Sequence, residues 1–428
     1  MIKSINKTDK TLKNLETVGM HYQFNIHWKS AKGVYVFDIN NNKYLDFTSG
    51  IFVTNVGHSN NSVLNEISKS LSSPLIYTYN YPHKIRIRYL KSLKKFCNGF
   101  FEKFYLLSGG SESVEAAIKL SRLYGLSKKK RKLGLISLKG NWHGRTMGAQ
   151  MLSSDPNQNL WTIKDKRNIF LDFPYPWNIK EKDSKVFFEN SLKKYKGKNF
   201  KKDFCAFFLE SFQGWGAVFY PKNYVKQVQL FCKKNDILLI FDEMQAGFGR
   251  TGKNFGFQHY GVKPDLICCG KGMGSGFPIS GVFGSKKILD LPAPGSMSST
   301  NSANPLACSA GLATLKEFKE KNIVKNSERI GKLFHTELNK IRIKFQNLVF
   351  SIEGKGLIAA IIFRDQPHLN LRGKDIANIV CENAIKNKLL VVRTGRESIK
   401  LGPPLIINKN DIIKGLKILE KSILEAVT

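Results

Sequence analysis

Residues 237–274 read ILLIFDEMQAGFGRTGKNFGFQHYGVKPDLICCGKGMG, and this stretch decides the fold. Two short apolar runs within it, Ile237–Phe241 and Leu266–Cys269, have the length and composition of buried strands. Asp242 follows the first run directly, and Lys271 follows the second run after one glycine. Because ligands bind outside the carboxyl ends of strands in open α/β sheets, we predict that Asp242 and Lys271 lie at one sheet edge.

Similar apolar runs elsewhere in the chain alternate with helical patterns. Further strands are predicted at Leu133–Leu138, Phe204–Leu209 and Ile279–Phe283, and helices at Glu112–Tyr124 and Asn223–Asn235. Strands that alternate with helices indicate an α/β fold, with a mostly parallel sheet covered by helices on both faces.

The chain is predicted to divide into three segments. Residues 1–50 would form an N-terminal arm and a hairpin that join the small domain, residues 51–305 the large domain, and residues 306–428 a smaller α+β domain. The last segment is predicted to be helical for some 40 residues, up to about Phe345, before two strands, a helix, a strand and a final helix. A Lys-rich insert, Asn178–Asp203, has the spacing of an amphipathic surface helix.

The charge balance is strongly basic. Among 428 residues, 68 Lys and Arg against 33 Asp and Glu give a net charge of +35. Such an excess suggests nucleic acid or an anionic surface, but the lysines are spread along the whole chain, so we favour a general compositional drift. The densest run, Lys128–Lys132, is interpreted as a solvated helix end rather than a binding patch.

The cysteine pattern and the termini point to a reduced, intracellular protein. Seven cysteines occur without a CxxC pair, and Cys268 and Cys269 are adjacent, which does not suit a zinc site, so no metal is expected. No apolar segment follows the basic N-terminus, and the longest apolar stretch, near Leu357–Phe363, is too short for a membrane span. A soluble cytoplasmic protein is expected.

A possible anion cradle precedes the helix at Glu112. In Ser108-Gly109-Gly110-Ser111, the glycines let backbone N–H groups approach a phosphate, and the helix dipole favours a negative charge there. Taken alone, this segment is better interpreted as an ordinary helix start. Together with a buried aspartate and a lysine it supplies the three parts that pyridoxal phosphate needs: a phosphate cradle, a partner for the pyridinium nitrogen and a Schiff-base lysine.

The chain resembles the class III aminotransferases of the ornithine and 4-aminobutyrate type, which have the fold type I of pyridoxal phosphate enzymes. The resemblance rests on seven motifs in the family's order: GVYVFDINNNKYLDF (33–47), GIFVTNVGH (50–58), SGGSESVEAAIKL (108–120), WHGRT (142–146), FDEMQAGFGRTG (241–252), CGKGMGSGFPIS (269–280) and TNSANPLAC (300–308). The separations of Asp242 from Lys271 and of Lys271 from Thr300 are both 29 residues, as in the family.

The resemblance implies roles around the cofactor ring. Lys271 would form the Schiff base, Asp242 would pair with the ring nitrogen, and Gln245 would contact the 3′-oxygen. Trp142 would stack on the ring, where the family usually has Tyr or Phe, and an indole face serves as well. His143 would support the ring or the stacking residue, although a structural role is equally compatible with the sequence.

The resemblance also implies how the phosphate is held. Gly110 and Ser111 would bind it through the backbone and a hydroxyl group. Thr300 would donate to the phosphate of the partner subunit's cofactor, which makes a homodimer part of the active site.

The substrate side departs from the family pattern. Trp215 stands where the family usually carries a glutamate, and Lys400 replaces the arginine with which that glutamate pairs. Arg145 is kept, so an anionic group on the substrate remains compatible with the sequence. Arg393 and Arg396 lie near Lys400 in the chain and are either substitutes for the missing arginine or surface residues.

The predicted function is a pyridoxal phosphate-dependent transamination between an amine or ω-amino acid donor and a keto acid or aldehyde acceptor. Its specificity would depend on the pocket around Ile51, Phe52, Trp142, Trp215 and Lys400. An amino acid racemase, epimerase or aminomutase on the same fold is the alternative, because the changed Glu/Arg pair suits a one-substrate cycle as well. A nucleic acid-binding protein is the third hypothesis, supported by charge alone and opposed by the intact lysine, aspartate and phosphate loop.

Overall fold

The computed structural model describes residues 11–12, 14–20, 26–73, 75–128, 132–155 and 160–427. The strands are β1 (Trp28–Lys32), β2 (Tyr35–Asp38), β3 (Lys43–Asp46), β4 (Lys103–Leu107), β5 (Gly134–Leu138), β6 (Ile169–Leu171), β7 (Phe204–Glu210), β8 (Leu238–Asp242), β9 (Leu266–Cys269), β10 (Ser280–Gly284), β11 (Val349–Lys355), β12 (Ile358–Phe363), β13 (Leu389–Leu390), β14 (Val392–Arg393) and β15 (Ser398–Leu401).

The helices vary from single turns to 22 residues. They are α1 (Asn61–Leu71), α2 (Lys84–Phe96), α3 (Gly110–Ser127), α4 (Met147–Gln150), α5 (Ser184–Lys193), α6 (Phe200–Asp203), α7 (Lys222–Asn235), α8 (Lys286–Leu289), α9 (Pro305–Glu320), α10 (Ile323–Lys344), α11 (Gly373–Lys386) and α12 (Lys409–Leu424). In the described part of the chain, none of them has the length and apolar character needed to cross a bilayer.

The central sheet has seven strands in the order β4-β10-β9-β8-β7-β5-β6. All neighbouring pairs are parallel except those of β10, which runs antiparallel to β4 and β9. Strands β5, β7, β8 and β9 are buried along their whole length, as expected of a sheet covered on both faces. This confirms the predicted α/β fold with a mostly parallel sheet.

Two smaller sheets lie outside the central one. The predicted hairpin forms as β2 and β3, and β3 also pairs in parallel with β13 from the C-terminal part of the chain. The predicted strand Leu389–Arg393 is divided between two sheets, since β13 joins the hairpin while β14 pairs with β15. The second small sheet has the order β11-β12-β15-β14. The predicted boundaries at residues 50 and 305 stay predictions.

The long helical stretch after residue 306 is two helices, not one. Helix α9 begins at Pro305, where Asn304 caps the backbone amides of Leu306 and Ala307. It ends before Asn322, whose left-handed backbone (φ 48°) breaks the helical path before α10 starts. The apolar periodicity of the sequence continues through this break, so the periodicity alone did not reveal it.

The basic run Lys128–Lys132 is only partly as predicted. Residues 129–131 lie outside the described residues. Lys128 ends helix α3, in keeping with a helix end, but Lys132 is fully buried rather than solvated. Its Nζ donates to the backbone carbonyl of Asn235 at 3.2 Å and lies 3.7 Å from the Asp236 carboxylate.

An unusual turn, Ser49–Phe52, follows the N-terminal hairpin. All four residues have positive φ, between 50° and 67°, and Ile51 is β-branched, for which this backbone conformation is strained. The Ser49 hydroxyl donates to the carbonyl of Gly402 at 2.6 Å. The turn directs Phe52 inward, where it is buried, and leaves Ile51 at the surface.

Arg250 links this turn to the C-terminal sheet. Its guanidinium is fully buried and donates to the side chains of Ser49 and Asn55 and to the carbonyls of Leu357 and Pro403, at 2.5 to 3.2 Å. Burial lowers the pKa of Arg250 to about 9. The N-terminal turn, the segment after β8 and the small sheet therefore meet at one side chain.

Candidate active site

The two residues that define the predicted sheet edge lie at the ends of neighbouring strands. Asp242 is the last residue of β8, and Lys271 follows β9 after one glycine. The Asp242 carboxylate is buried and accepts a hydrogen bond from the Met244 amide at 3.0 Å. Its second oxygen lies 3.0 Å from Nδ1 of His143. The strand register thus brings a buried carboxylate and an amine to the same edge.

Lys271 sits in an environment that disfavours its charged form. Burial lowers the pKa of Lys271, and nearby Arg250 lowers it further, whereas Asp242 and Glu210 act in the opposite direction. Its amine lies 5.8 Å from the centre of the ring of Phe52, the last residue of the Ser49–Phe52 turn. A lysine with an easily lost proton is suited to bond with a carbonyl carbon and to accept a proton.

The predicted anion cradle is formed by the start of helix α3. The Glu112 carboxylate caps the helix by accepting hydrogen bonds from the backbone amides of Ser108 and Gly109. The helix itself begins at Gly110, followed by Ser111. The Ser111 hydroxyl accepts a hydrogen bond from the Arg145 backbone amide at 3.2 Å. The hydroxyl proton of Ser111 is therefore available to an anion. Gly144 permits this approach: its φ is +136°, and a Cβ there would lie 2.4 Å from Ser111 Oγ.

The WHGRT segment contacts two carboxylates at the sheet edge, those of Asp242 and Glu210. Besides bonding to Asp242, the fully buried His143 lies 3.4 Å from the Ser137 hydroxyl through Nε2. The Trp142 amide donates to Glu210 at 3.0 Å. The Arg145 guanidinium is exposed and stacks on the Trp142 ring, 4.6 Å from its centre. The predicted partner of His143 was the ring or the stacking residue; in the structure, its side chain contacts Asp242.

Lys400 and Gln245 join β15 to the segment after β8 through a hydrogen bond. Lys400 lies on β15, is 7% exposed, and donates to Gln245 Oε1 at 2.8 Å. Burial and the neighbouring Lys271 lower the pKa of Lys400 to about 7, while Glu210 opposes the shift. Its amine lies 4.8 Å from the centre of the Phe52 ring.

Trp215 stacks with a cation, but not with Lys400. Its indole N–H donates to Gln213 at 2.6 Å, and the guanidinium of Arg396 lies 3.9 Å from its ring centre. Arg393 instead donates to Asn378 at 2.7 Å. Of the two arginines considered from the sequence, the structure brings Arg396 to Trp215 and ties Arg393 to helix α11.

Thr300 and Ile51 are both at the surface. Ile51 is 36% exposed on the left-handed turn, and Thr300 is exposed in the segment before α9. The carbonyl oxygen of the adjacent Asn301 lies 3.5 Å from the Ser108 hydroxyl of the same chain. The Thr300 segment therefore runs beside the cradle.

Glu210 is a site residue whose role the sequence reasoning did not define. It ends β7 directly opposite Asp242 in the parallel register, and burial raises its pKa to about 7. Its carboxylate accepts the amides of Trp142 and Gly214. A Cβ on Gly214 would lie 2.5 Å from Gln245 Nε2 and 2.7 Å from Glu210 Oε1, so a larger residue there would displace these two side chains. The position of Glu210 after a strand was the available signal.

The neighbouring Glu243 is structural. It accepts from the Ser211 hydroxyl and from the amides of Gly256 and Phe257, at 2.5 to 2.8 Å. Burial raises the pKa of Glu243 to about 7 from an ordinary 4.5, so the folded protein holds this proton more tightly than the unfolded chain does. Its contribution to stability is therefore greatest at low pH and declines as the pH rises from about 5 to 8.

Replacing Glu243 by Gln is expected to remove this pH dependence. Between pH 5 and pH 8, the free energy of unfolding of the wild type should fall relative to Glu243→Gln by about 3 kcal/mol, at about 1.4 kcal/mol for each pKa unit. Urea denaturation of both proteins at the two pH values measures the difference, and the contribution of Glu210 cancels. A difference that stays constant, or that changes in the opposite direction, contradicts the assignment.

Comparison with known proteins agrees with this geometry. Residues 18–423 match the family model "Aminotransferase class-III". The acetylornithine aminotransferase of Clostridium acetobutylicum is 30% identical over 94% of this chain and 97% of its own length. The leucine/methionine racemase of Thermococcus litoralis is 30% identical over 92% of this chain and 89% of its own.

A solved structure extends the agreement to three dimensions. The crystal structure of a transaminase from the marine bacterium Virgibacillus superposes with a TM-score of 0.88 at 25% identity, and the match covers 99% of each chain. The family match spans nearly the whole chain, and it includes the buried aspartate and lysine at the sheet edge. The chain therefore belongs to the class III aminotransferases, and it is a pyridoxal phosphate-dependent transaminase.

Proposed function

We propose that Lys271 and Asp242 carry the chemistry of this transaminase, and that pyridoxal phosphate binds between them. The observation that supports this most strongly is the pair of strand ends, which places a buried carboxylate backed by His143 beside a lysine whose pKa is lowered by burial. The residues present fit the cofactor. Ser111 has a hydroxyl proton free for an anion at a helix N-terminus, and the Gly144 backbone leaves room beside it.

Each protein group has a distinct task in this proposal. The bound cofactor supplies an electron-accepting ring for the carbon that loses its proton. Asp242 holds a proton on the ring nitrogen, and His143 fixes the orientation of the Asp242 carboxylate. Lys271 binds the cofactor covalently and moves the substrate proton. Gly110 and Ser111 hold the phosphate, while Trp142 covers the ring and Gln245 contacts its 3′-oxygen.

The substrates are proposed to be an amine or ω-amino acid donor and a keto acid or aldehyde acceptor. The curated relative from Clostridium, an acetylornithine aminotransferase, supports a donor of this class. We further propose Ile51, Arg145, Trp215 and Lys400 as the residues that contact the substrate. A homodimer in the cytoplasm completes the proposal: Thr300 is exposed and would donate to the phosphate of the partner subunit's cofactor.

A racemase or epimerase reaction is the second candidate. The relative from Thermococcus litoralis, a leucine/methionine racemase, shares 30% of its residues with this chain. Lys400 and Trp215 both replace members of the family's charged pair, and a one-substrate cycle does not need that pair. An aminomutase would meet the same requirement.

A two-stage reaction distinguishes these candidates. Purified holoenzyme is mixed first with a panel of amines and then, after the free amine is removed, with pyruvate or 2-oxoglutarate. For a transaminase, the visible absorbance of the cofactor should be lost with the amine and restored by the acceptor, with an equivalent of new amino acid. Exchange of the substrate α-hydrogen for solvent deuterium, with full activity and no acceptor, would instead support the racemase.

A further inference from the structure

The carboxylate of Glu115, on helix α3, bonds to a neighbouring segment at three points. Its Oε1 accepts hydrogen bonds from the Thr146 hydroxyl at 2.5 Å and from the backbone amides of Gly148 and Ala149 at 2.7 and 3.1 Å. These two amides belong to the first turn of helix α4, where backbone amides have no partner within the helix. Thr146 stands at the cap position of α4 but makes no side-chain cap bond. Glu115 therefore caps α4 from a different helix.

Helix α4 is too short to hold its own position. It has only four residues, and a helix of that length is not stable by itself in water. A negative charge at its N-terminus is favourable, and the Glu115 carboxylate supplies one. The fit is close, since a Cβ on Gly148 would lie 2.2 Å from Glu115 Oε2. Without this carboxylate, the amides of Gly148 and Ala149 would lose the partner that fixes α4 on α3.

The segment held in this way carries the proposed stacking residue. Trp142–Thr146 lies directly before α4, so the position of α4 fixes one end of the segment. Ser111, which begins the cradle, accepts the Arg145 amide at 3.2 Å. Ser111 and Glu115 are four residues apart on α3, and residues at this spacing lie on the same face of a helix. The helix that forms the cradle thus also holds the end of the segment that carries Trp142.

We propose that Glu115 is a positioning residue for the cofactor: through Thr146 and helix α4, it fixes the Trp142 ring at a set distance from the phosphate cradle. The carboxylate itself does not contact the cofactor. Ser111 and Glu115, one helical turn apart, set the positions of the phosphate and of the stacking indole relative to each other. This inference rests on the proposed function, which assigns the phosphate to Ser111 and the ring to Trp142.

The first measurement uses the protein without its cofactor. Hydrogen exchange of peptides that cover residues 141–150 is followed by mass spectrometry. Glu115→Ala should speed the exchange of the Gly148 and Ala149 amides by about 10-fold or more, as expected on losing a hydrogen bond to a charged group. Exchange in the central sheet should not change.

Glu317→Ala is the matched control. The Glu317 carboxylate also accepts three donors at 2.5 to 2.8 Å, and none of them is a proposed site residue: they are Asn60, Ser62 and Lys321. Its loss should destabilise the contact of α9 with α1 and leave the exchange of residues 141–150 as in the wild type. Thermal melts establish that each variant is folded.

The second measurement uses the holoenzyme. In Glu115→Ala, the visible circular dichroism of the bound cofactor should weaken, and its dissociation rate should rise by about 10-fold, the size of one net hydrogen bond. The value of kcat should fall by about 10- to 100-fold with a smaller change in KM, because a misplaced ring slows the reaction more than it weakens substrate binding. Glu115→Gln should recover most of these losses, since its amide oxygen accepts the same three donors without charge assistance. Thr146→Val, which removes one donor, should lie between Glu115→Gln and Glu115→Ala.

Two results would overturn the proposal. One is unchanged exchange of the α4 amides in Glu115→Ala, and the other is a cofactor signal and dissociation rate that match those of Glu317→Ala. If Glu115→Ala does not fold, Glu115→Gln and Thr146→Val replace it, and each should still release the cofactor faster than Glu317→Ala does. Failure of the proposed function would instead show as wild-type protein that binds no cofactor, whereas the exchange measurement needs none.

Discussion

Lys271→Ala is expected to lower transaminase turnover by about 10³-fold or more, the size of a positioned proton-transfer group. The substitution removes three things together: the covalent link to the cofactor, the group that transfers the proton, and the electrostatic interaction of the amine with Asp242 and Glu210. Alanine also removes an amine whose pKa is lowered by burial, and the amine of Lys400, on which Lys271 acts electrostatically, is already bonded to the Gln245 amide.

The cofactor spectrum and single-turnover kinetics measure this effect. Holoenzyme and variant are loaded with pyridoxal phosphate, and the conversion of one equivalent of amine is followed by stopped flow. Lys253→Ala is the matched control, since Lys253 is an exposed lysine between the same two strands. Unchanged turnover in Lys271→Ala would disprove the assignment, and equal losses in both variants would indicate a general loss of folding.

Asp242→Asn is expected to lower turnover by about 10²- to 10³-fold, the range for losing one preorganised electrostatic group. An asparagine keeps the size of the side chain and one acceptor for the Met244 amide, but it lacks the charge that keeps the ring nitrogen protonated. His143 loses its anionic partner at the same time, since its Nδ1 lies 3.0 Å from the carboxylate. We therefore expect a defect in rate that exceeds the defect in cofactor binding.

Comparison of two adjacent carboxylates tests this assignment. Turnover and cofactor affinity are measured for Asp242→Asn and for Glu243→Gln, whose carboxylate bonds to Ser211, Gly256 and Phe257 rather than facing the site. Only Asp242→Asn should lose turnover out of proportion to its thermal stability. Equal rates in the two variants would show that Asp242 has no special role.

The prediction that Asp242 and Lys271 lie at one sheet edge is confirmed, because strand order and local pattern carried that information. Asp242 and Lys271 each follow a short apolar run, and parallel strands place their carboxyl ends together. The strands β4 and β6 were not predicted. Strand β4 is partly exposed and begins with a lysine, and β6 has only three residues, so neither contains a long buried run.

The substrate pocket was harder to predict because its contacts join distant parts of the chain. The sequence showed that Lys400 and Trp215 replace a charged pair, but not that Lys400 turns to Gln245 while Trp215 stacks under Arg396. Nor did it show that Lys132 is buried, since its partners lie more than 100 residues away. Such contacts depend on the packing of whole domains and leave no local periodicity.

The left-handed turn at Ser49–Phe52 has a consequence for how this protein matures in the cell. The backbone around it bonds to residues that are translated some 350 positions later, through Phe47 to Gly402 and Asn55 to Leu405. All seven strands of the central sheet end by Gly284, so a nascent chain contains the whole sheet before the partners of this turn are synthesised. Contacts of such long range form slowly. The turn therefore acquires these hydrogen bonds only after the segment around Gly402 and Leu405 has been synthesised, and removal of that segment would leave the turn without them.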